Sequence, residues 1–327
     1  MNLTVLDRNN VEHQDYIRRS LMECYQDDPR AAKSFPEARA QCGFMNGKNY
    51  IEDFSRIITI GQEKIGFFLV GRDGAGQPWE LGFLWITESK RKQGLGAEAL
   101  RLIEEEVRKS DEKKLITVPH SKRSPVNGVP GFKPAVLHFF VKRGYTVQAR
   151  AAGAYHVSPW NFNYDSDKTT ARNQKNEQDG CRLVQTKIND DGYEAIRSQA
   201  EDLCRREEKA GWEAFFREDY TRREREYICA VLHGEEVAAV CAYSVEPCSP
   251  GIWGWGPQWG PLLTDSRYRG RGLAGWVITE SLKRQFALGV QEVTLWTGAD
   301  SNNSRMYERY GFRLSVPWFF LEKELVQ

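Results

Sequence analysis

Two long runs, IITIGQEKIGFFLVG at 57–71 and YICAVLHGEEVAAVCAYS at 227–244, are near-continuously apolar apart from a short polar break. Such runs predict paired strands, and the short polar or glycine-containing break inside each predicts a hairpin turn. A strand-like LTVL opens the first half and RLVQ the second, each followed by a helical stretch before the hairpin. After the hairpins comes one more strand, WELGFLWIT or QWGPLLT, which feeds a glycine-containing loop, ESKRKQGLGAEAL or DSRYRGRGLAGWV. Beyond the loops the apolar spacing changes to three and four, with Leu95, Ala99, Leu102 and Ile103 in one copy and Ala274, Val277, Ile278 and Leu282 in the other. That period predicts amphipathic helices starting at the loops. A strand then returns, LITVP at 115–119 and EVTLWT at 292–297, and a last helix runs into a Gly-aromatic pair ending at Tyr145 and Phe312.

The same order of elements occurs twice in 327 residues, which predicts two domains. The loops align without a gap: Arg91, Gly94 and Gly96 fall on Arg269, Gly272 and Ala274, each 178 positions on. Between the copies, YDSDKTTARNQKNEQDG has almost no apolar side chains with which to offset the entropy of ordering. The expected division is therefore a first domain at 1–163, a linker at 164–180 and a second domain at 181–327.

Charge and cysteine content narrow the function classes. With 46 basic and 45 acidic side chains the net charge is +1, which gives no field to concentrate nucleic acid or an anionic membrane. No apolar run approaches the roughly 20 residues of a membrane span, and MNLTVLDRNN lacks a basic region followed by an apolar one, so the expectation is a soluble cytoplasmic protein. Seven scattered cysteines without a Cys-x-x-Cys predict reduced thiols rather than a metal grip.

The candidate chemistry sits at the loops. The first amides of a helix have no partner within it, the helix dipole adds positive charge at that end, and glycine lets a phosphate approach the backbone. Gly270, Gly272 and Gly275 form a Gly-x-Gly-x-x-Gly, yet a dinucleotide site also needs an acid at the end of the next strand. Glu292 opens EVTLWT, at the wrong end of that strand, and the first copy has Ala97 at the third glycine position. No Gly-Lys-Ser/Thr follows either loop, which excludes a P-loop.

An Arg-x-x-Gly-x-Gly/Ala loop between strand and helix, followed by strand, helix and Gly-aromatic, resembles the GNAT superfamily of N-acetyltransferases. Its duplication resembles the two-domain, mycothiol-synthase-like plan. The resemblance implies an α/β (α+β) fold of two tandem GNAT-like domains, each a mixed, mainly antiparallel sheet flanked by helices. It also implies acetyl-coenzyme A (acetyl-CoA) as cofactor. Its diphosphate would lie on Arg269, Gly270, Arg271, Gly272, Leu273 and Ala274, with backbone of Leu262, Leu263 and Thr264 on the acetyl and pantetheine groups. The matching positions in the first half are Arg91, Lys92, Gln93, Gly94, Leu95 and Gly96, with Leu84, Trp85 and Ile86.

The family's proton donor is commonly a tyrosine four residues before the glycine of the Gly-aromatic pair. That position is Tyr307 in the second half and Phe140 in the first. Phenylalanine has no proton to give, so the second half is expected to be catalytic and the first degenerate. Asp300 replaces a family asparagine; it is either a base acting through water or a helix N-cap, with Asn302 and Asn303 close enough to reach the pantetheine. The expected activity is acetyl transfer by direct attack of a primary amine, on a small molecule or a peptide. The competing expectation is a non-catalytic acyl-CoA-binding sensor or scaffold.

Overall fold

The computed structural model describes residues 1–25, 52–117, 128–148, 152–217, 226–245, 257–299 and 301–325. The first elements are β1 (Asn2–Val5), α1 (Val11–Tyr25), β2 (Glu52–Asp53), β3 (Arg56–Ile60), β4 (Glu63–Arg72), β5 (Trp79–Ile86), α2 (Leu95–Lys109), β6 (Lys114–Thr117), β7 (Val129–Pro130), α3 (Pro134–Val141) and β8 (Thr146–Val147). There follow β9 (Ala152–Val157), α4 (Ser166–Gln178), β10 (Cys181–Lys187), α5 (Tyr193–Arg206), β11 (Tyr227–His233), β12 (Glu236–Tyr243), β13 (Trp259–Thr264), α6 (Leu273–Ala287), β14 (Val293–Gly298), α7 (Asn302–Glu308), β15 (Arg313–Phe319) and β16 (Leu321–Glu324). The mixed, mainly antiparallel sheets flanked by helices are those the resemblance implies.

Contacts divide the chain into two compact units, residues 1–153 with 316–327, and residues 154–315. In the first unit β1, β3, β4 and β5 are antiparallel neighbours and β6 joins β5 in parallel. The C-terminal β16 completes this sheet, pairing with β6 and β8. Leu321 and Leu325 accordingly lie in the same buried cluster as Ala99, Leu100 and Ile103 of α2.

The second unit shows why YICAVLH and its partner read as near-continuous apolar runs: the β10-β11-β12-β13 sheet is covered on both faces. Ile228, Ala230 and Val240 meet Ile196, Ala200 and Leu203 of α5. Cys229, Val231 and Cys241 meet Val277, Ile278 and Leu282 of α6. Alternate residues along a strand point to opposite faces, so each run feeds two interfaces.

The boundaries differ from the expected 1–163, 164–180 and 181–327. The stretch taken as a linker holds α4, opened by Asp165, whose carboxylate accepts from Lys168 N at 3.0 Å. Lys, Ala, Arg, Gln and Glu favour helix without needing an apolar face, and the Asp cap satisfies an orphan amide. Thr169 and Asn176 are its buried residues.

Candidate functional site

Both loops are built alike. In β5 the register against β4 shifts between Leu69 and Val70, leaving Gly82 as an extra residue; in β13 it shifts between Cys241 and Tyr243, opposite Gly260–Pro261. Gly82 and Gly260 are again 178 apart. A bulge of this kind bends the strand and re-aims its backbone. The loop arginine of each copy ties back to its own strand: Arg91 Nε donates to Ile86 O at 2.9 Å and Arg269 Nε to Thr264 O at 3.4 Å. Arg269 also forms an ion pair with Glu207, and Arg91 lies over the Trp85 ring at 4.2 Å. These arginines set the loop's shape.

Helix α2 opens at Gly94 (φ 83°) and α6 at Gly272 (φ 78°), neither with a side-chain cap. Positive φ at both positions calls for glycine. The first helical bonds are Glu98 N to Gly94 O (3.0 Å) and Trp276 N to Gly272 O (3.2 Å), so the amides of 95–97 and 273–275 precede the helical ladder. Each is a potential anion cradle.

The surroundings of the two cradles differ. Among the described residues a Cβ on Gly94 would meet nothing within 4 Å, and Arg91, Lys92, Gln93 and Gly94 are exposed. Beside them, Ala97, Leu100, Arg101, Glu104, Arg143 and Lys323 line a cleft of about 250 Å³. A Cβ on Gly272 would lie 2.3 Å from Cδ of Arg172, and one on Gly275 would lie 2.3 Å from the Tyr310 hydroxyl and 3.1 Å from Arg172 Nη2. Arg172 comes from α4. Asn176 Nδ2 donates to Arg271 O at 3.2 Å, Arg271 pairs with Asp179 at 3.1 Å, and the Asn173 amide, with its oxygen and nitrogen exchanged, accepts from Trp276 Nε1 at 3.2 Å. Of the diphosphate residues expected in the second copy, Arg271 and Gly272 thus lie against α4 and the residue that follows it, whereas Arg269 and Gly270 are exposed; at the glycine that opens the helix, only the first loop keeps room among the described residues.

On the second unit's strand, β13 meets β14 at an isolated bridge, Gln258 to Thr294, and Leu262, Leu263 and Thr264 have β12 on one side only in their sheet. On the first unit's strand, β6 pairs with β5 only over Trp79–Leu81 among the described residues, so Leu84, Trp85 and Ile86 pair on the β4 side alone. Strand amides for an acyl carbonyl are thereby available in both.

Tyr307, on α7, is 8% exposed and meets Trp259 edge-on at 5.7 Å and Phe312 at 5.8 Å. Burial pushes its phenol well above the ordinary value. In the first unit the residue types are exchanged: Phe140 meets Tyr145 edge-on at 5.2 Å. Asp300 lies outside the described residues. The cap of α7 is Ser301, whose hydroxyl accepts from Ser304 N at 3.1 Å, and Asn302 and Asn303 are exposed on the first turn.

Three residues were not singled out from sequence. Asp265, at the end of β13, accepts from Arg267 and Arg206, and its carboxyl is lowered to about 2, chiefly by the Arg267 hydrogen bond. Glu207 accepts from Ser266 N at 2.8 Å. An acid before a turn is a cap signal and made Asp265 findable. Arg172 carried no signal, being one charge among many on a polar segment.

Residues 190–312 match the family model of the acetyltransferase (GNAT) family. No curated protein matches the chain. Among solved structures, the tandem GNAT protein from the clavulanic acid biosynthesis pathway superposes with a TM-score of 0.64 at 16% identity, covering 100% of this chain and 99% of its own. A GCN5-related glucosamine N-acetyltransferase region in a fungal multi-domain GH3 β-N-acetylglucosaminidase gives 0.67 at 13% identity over 98% of this chain, which spans 38% of that protein's length. A GCN5-related N-acetyltransferase from Sphaerobacter thermophilus gives 0.55 at 14% identity, covering 95% and 91%. At such identities the superpositions establish the fold alone. Residues 190–312 thus match the GNAT family, and the chain as a whole shares the fold of tandem GNAT proteins.

Proposed function

We propose that the chain is an acetyl-CoA-dependent N-acetyltransferase acting on a primary amine, and that the first unit holds the coenzyme. The observation that carries the choice of unit is the open space over Gly94, set against the filled space over Gly272. The amides of Leu95, Gly96 and Ala97 are suited to a diphosphate, and the basic Arg143 beside them adds to the field, Arg101 being paired with Glu98 and Glu105. The backbone of Leu84–Ile86 offers donors to an acyl carbonyl as it gains charge.

When bound, acetyl-CoA supplies an acyl group activated as a thioester. The unit's part is to hold a neutral amine and that carbonyl together and to keep both oriented. Phe140 brings no proton, and none is required of it: the amine sheds one on acylation, and a thiolate of ordinary pKa about 8.5 takes it up.

A second reading places transfer in the second unit with Tyr307 as acid. It is supported by the family match to 190–312 and by the β13 edge, and requires Arg172 to withdraw. Titration with acetyl-CoA decides between them. Under the first reading Gly94→Glu abolishes binding and Gly272→Glu leaves it intact; the reverse result selects the second. Wild-type binding without transfer to any of a panel of primary amines would point to a sensor or scaffold and refute both.

A further inference from the structure

We propose that the second cradle is closed from within: the Arg172 side chain of α4 takes the place over Gly272 that a diphosphate would need, so the chain carries one working coenzyme site and one latent one. The inference rests on the first unit being the coenzyme binder. The comparison is position by position. Ala97 and Arg101 correspond to Gly275 and Thr279, and Arg143 and Gly144 correspond to Tyr310 and Gly311 around the Gly-aromatic pair. In the first unit Ala97, Arg101 and Arg143 line an open cleft. In the second, Tyr310 and Arg172 sit on Gly275, and a Cβ on Gly311 would lie 1.8 Å from the carbonyl oxygen of Asn161. The space over Gly272, expected from sequence to hold a diphosphate, and over Gly275 and Gly311 is occupied by the protein's own chain.

The plug is not held by charge. Nε and Nη2 of Arg172 are enclosed with no hydrogen-bond partner among the described residues, beside the positive end of a 15-residue helix. A guanidinium in that place is electrostatically unfavourable. Its position follows from the docking of α4 through Asn176 and Arg271, Arg271 and Asp179, and Asn173 and Trp276. Removing the side chain therefore leaves α4 attached and clears the space over Gly272, where every close contact comes from Arg172.

Equilibrium dialysis of the full chain against coenzyme A counts the sites. The expected result is about one per wild-type chain, about two for Arg172→Ala, and a return to about one when Gly272→Glu is added. Two sites in the wild type, one of them lost in Arg172→Ala, would make Arg172 an anion ligand and overturn the inference, as would a count unchanged by Arg172→Ala. Alanine favours helix, so α4 is retained. Should that variant fail to fold, Gly275→Ala provides the check: its Cβ meets Tyr310 and Arg172, so Tm falls while coenzyme binding stays at the wild-type level, and weakened binding would refute the plug. A wild type that binds nothing, with Arg172→Ala binding about one, would count against the first-unit reading and for the latent cradle.

Discussion

The hydroxyl of Tyr145 donates to the carboxylate of Glu104 across 3.2 Å, buried beneath the cleft that flanks the first loop. Glu104 is 7% exposed and also accepts from Lys323 at 2.8 and 3.0 Å and from Arg108 at 3.3 Å. Lys323 stands on the C-terminal strand, so this cluster fastens β16 to α2 within the first unit. Tyr145→Phe should cost about 1 kcal/mol, the net value of one buried hydrogen bond. Lys323→Met should cost more, about 3 kcal/mol, because it leaves a buried carboxylate short of its principal cation. Urea titration of the two variants beside the wild type checks the order as well as the sizes.

Asp265 gives a prediction about acid. It is 2% exposed, and its folded carboxyl lies at about 2, held down first by the hydrogen bond from Arg267. A depressed carboxyl contributes stability that is fully present above its unfolded value of about 4 and is lost as pH falls through the folded value. Asp265→Asn should therefore be less stable than wild type by about 2 kcal/mol at neutral pH, with the gap closing between about pH 4 and pH 2. A gap that stays constant over that interval would show that Asp265 acts by shape alone.

Much of the fold and part of the site were legible because they are local. Short apolar runs such as 227–233 and three-four spacing such as Ala274, Val277, Ile278 and Leu282 specify elements wherever they pack, and the constant offset of 178 exposed the repeat. Two features were not legible. Strand β16 serves the first unit, but the apolar pattern of a strand records which face is buried and carries no mark of which sheet it joins. The segment at 164–180 was expected to be disordered for want of apolar side chains, yet α4 docks through Asn173, Asn176 and Asp179, polar groups that bond to α6 and its loop. Composition counts such side chains as solvent-facing. What fills the space over Gly272 and Gly275 lies 100 and 103 residues away in the chain, at Arg172.

Gly66 tests the strand beneath the first loop. It pairs with Ile86, and a Cβ there would lie 2.4 Å from the carbonyl oxygen of Trp85 and 2.9 Å from Cδ1 of Ile86. Backbone cannot yield as a side chain can, so Gly66→Ala should push β5 outward just before the loop. The expected loss is about 2 kcal/mol of stability. Weaker acetyl-CoA binding should accompany it if the first unit holds the coenzyme, and isothermal titration beside thermal melts reads both.

Tyr307 separates the two functional readings most directly. Its ring fills a pocket against Trp259 and Phe312, and desolvation holds the phenol in its protonated form. Tyr307→Phe keeps the ring and removes only the hydroxyl, so packing is conserved. If the thioester is held in the first unit, this substitution leaves kcat with any accepted amine at the wild-type value. If the second unit is the catalyst, losing a general acid should lower kcat by about 10²-fold or more, with KM for the amine little changed. The phenol is already neutral at neutral pH under either reading, so a pH profile does not distinguish them. The size of the kcat change does, because a core aromatic has no means of altering turnover once its ring is preserved.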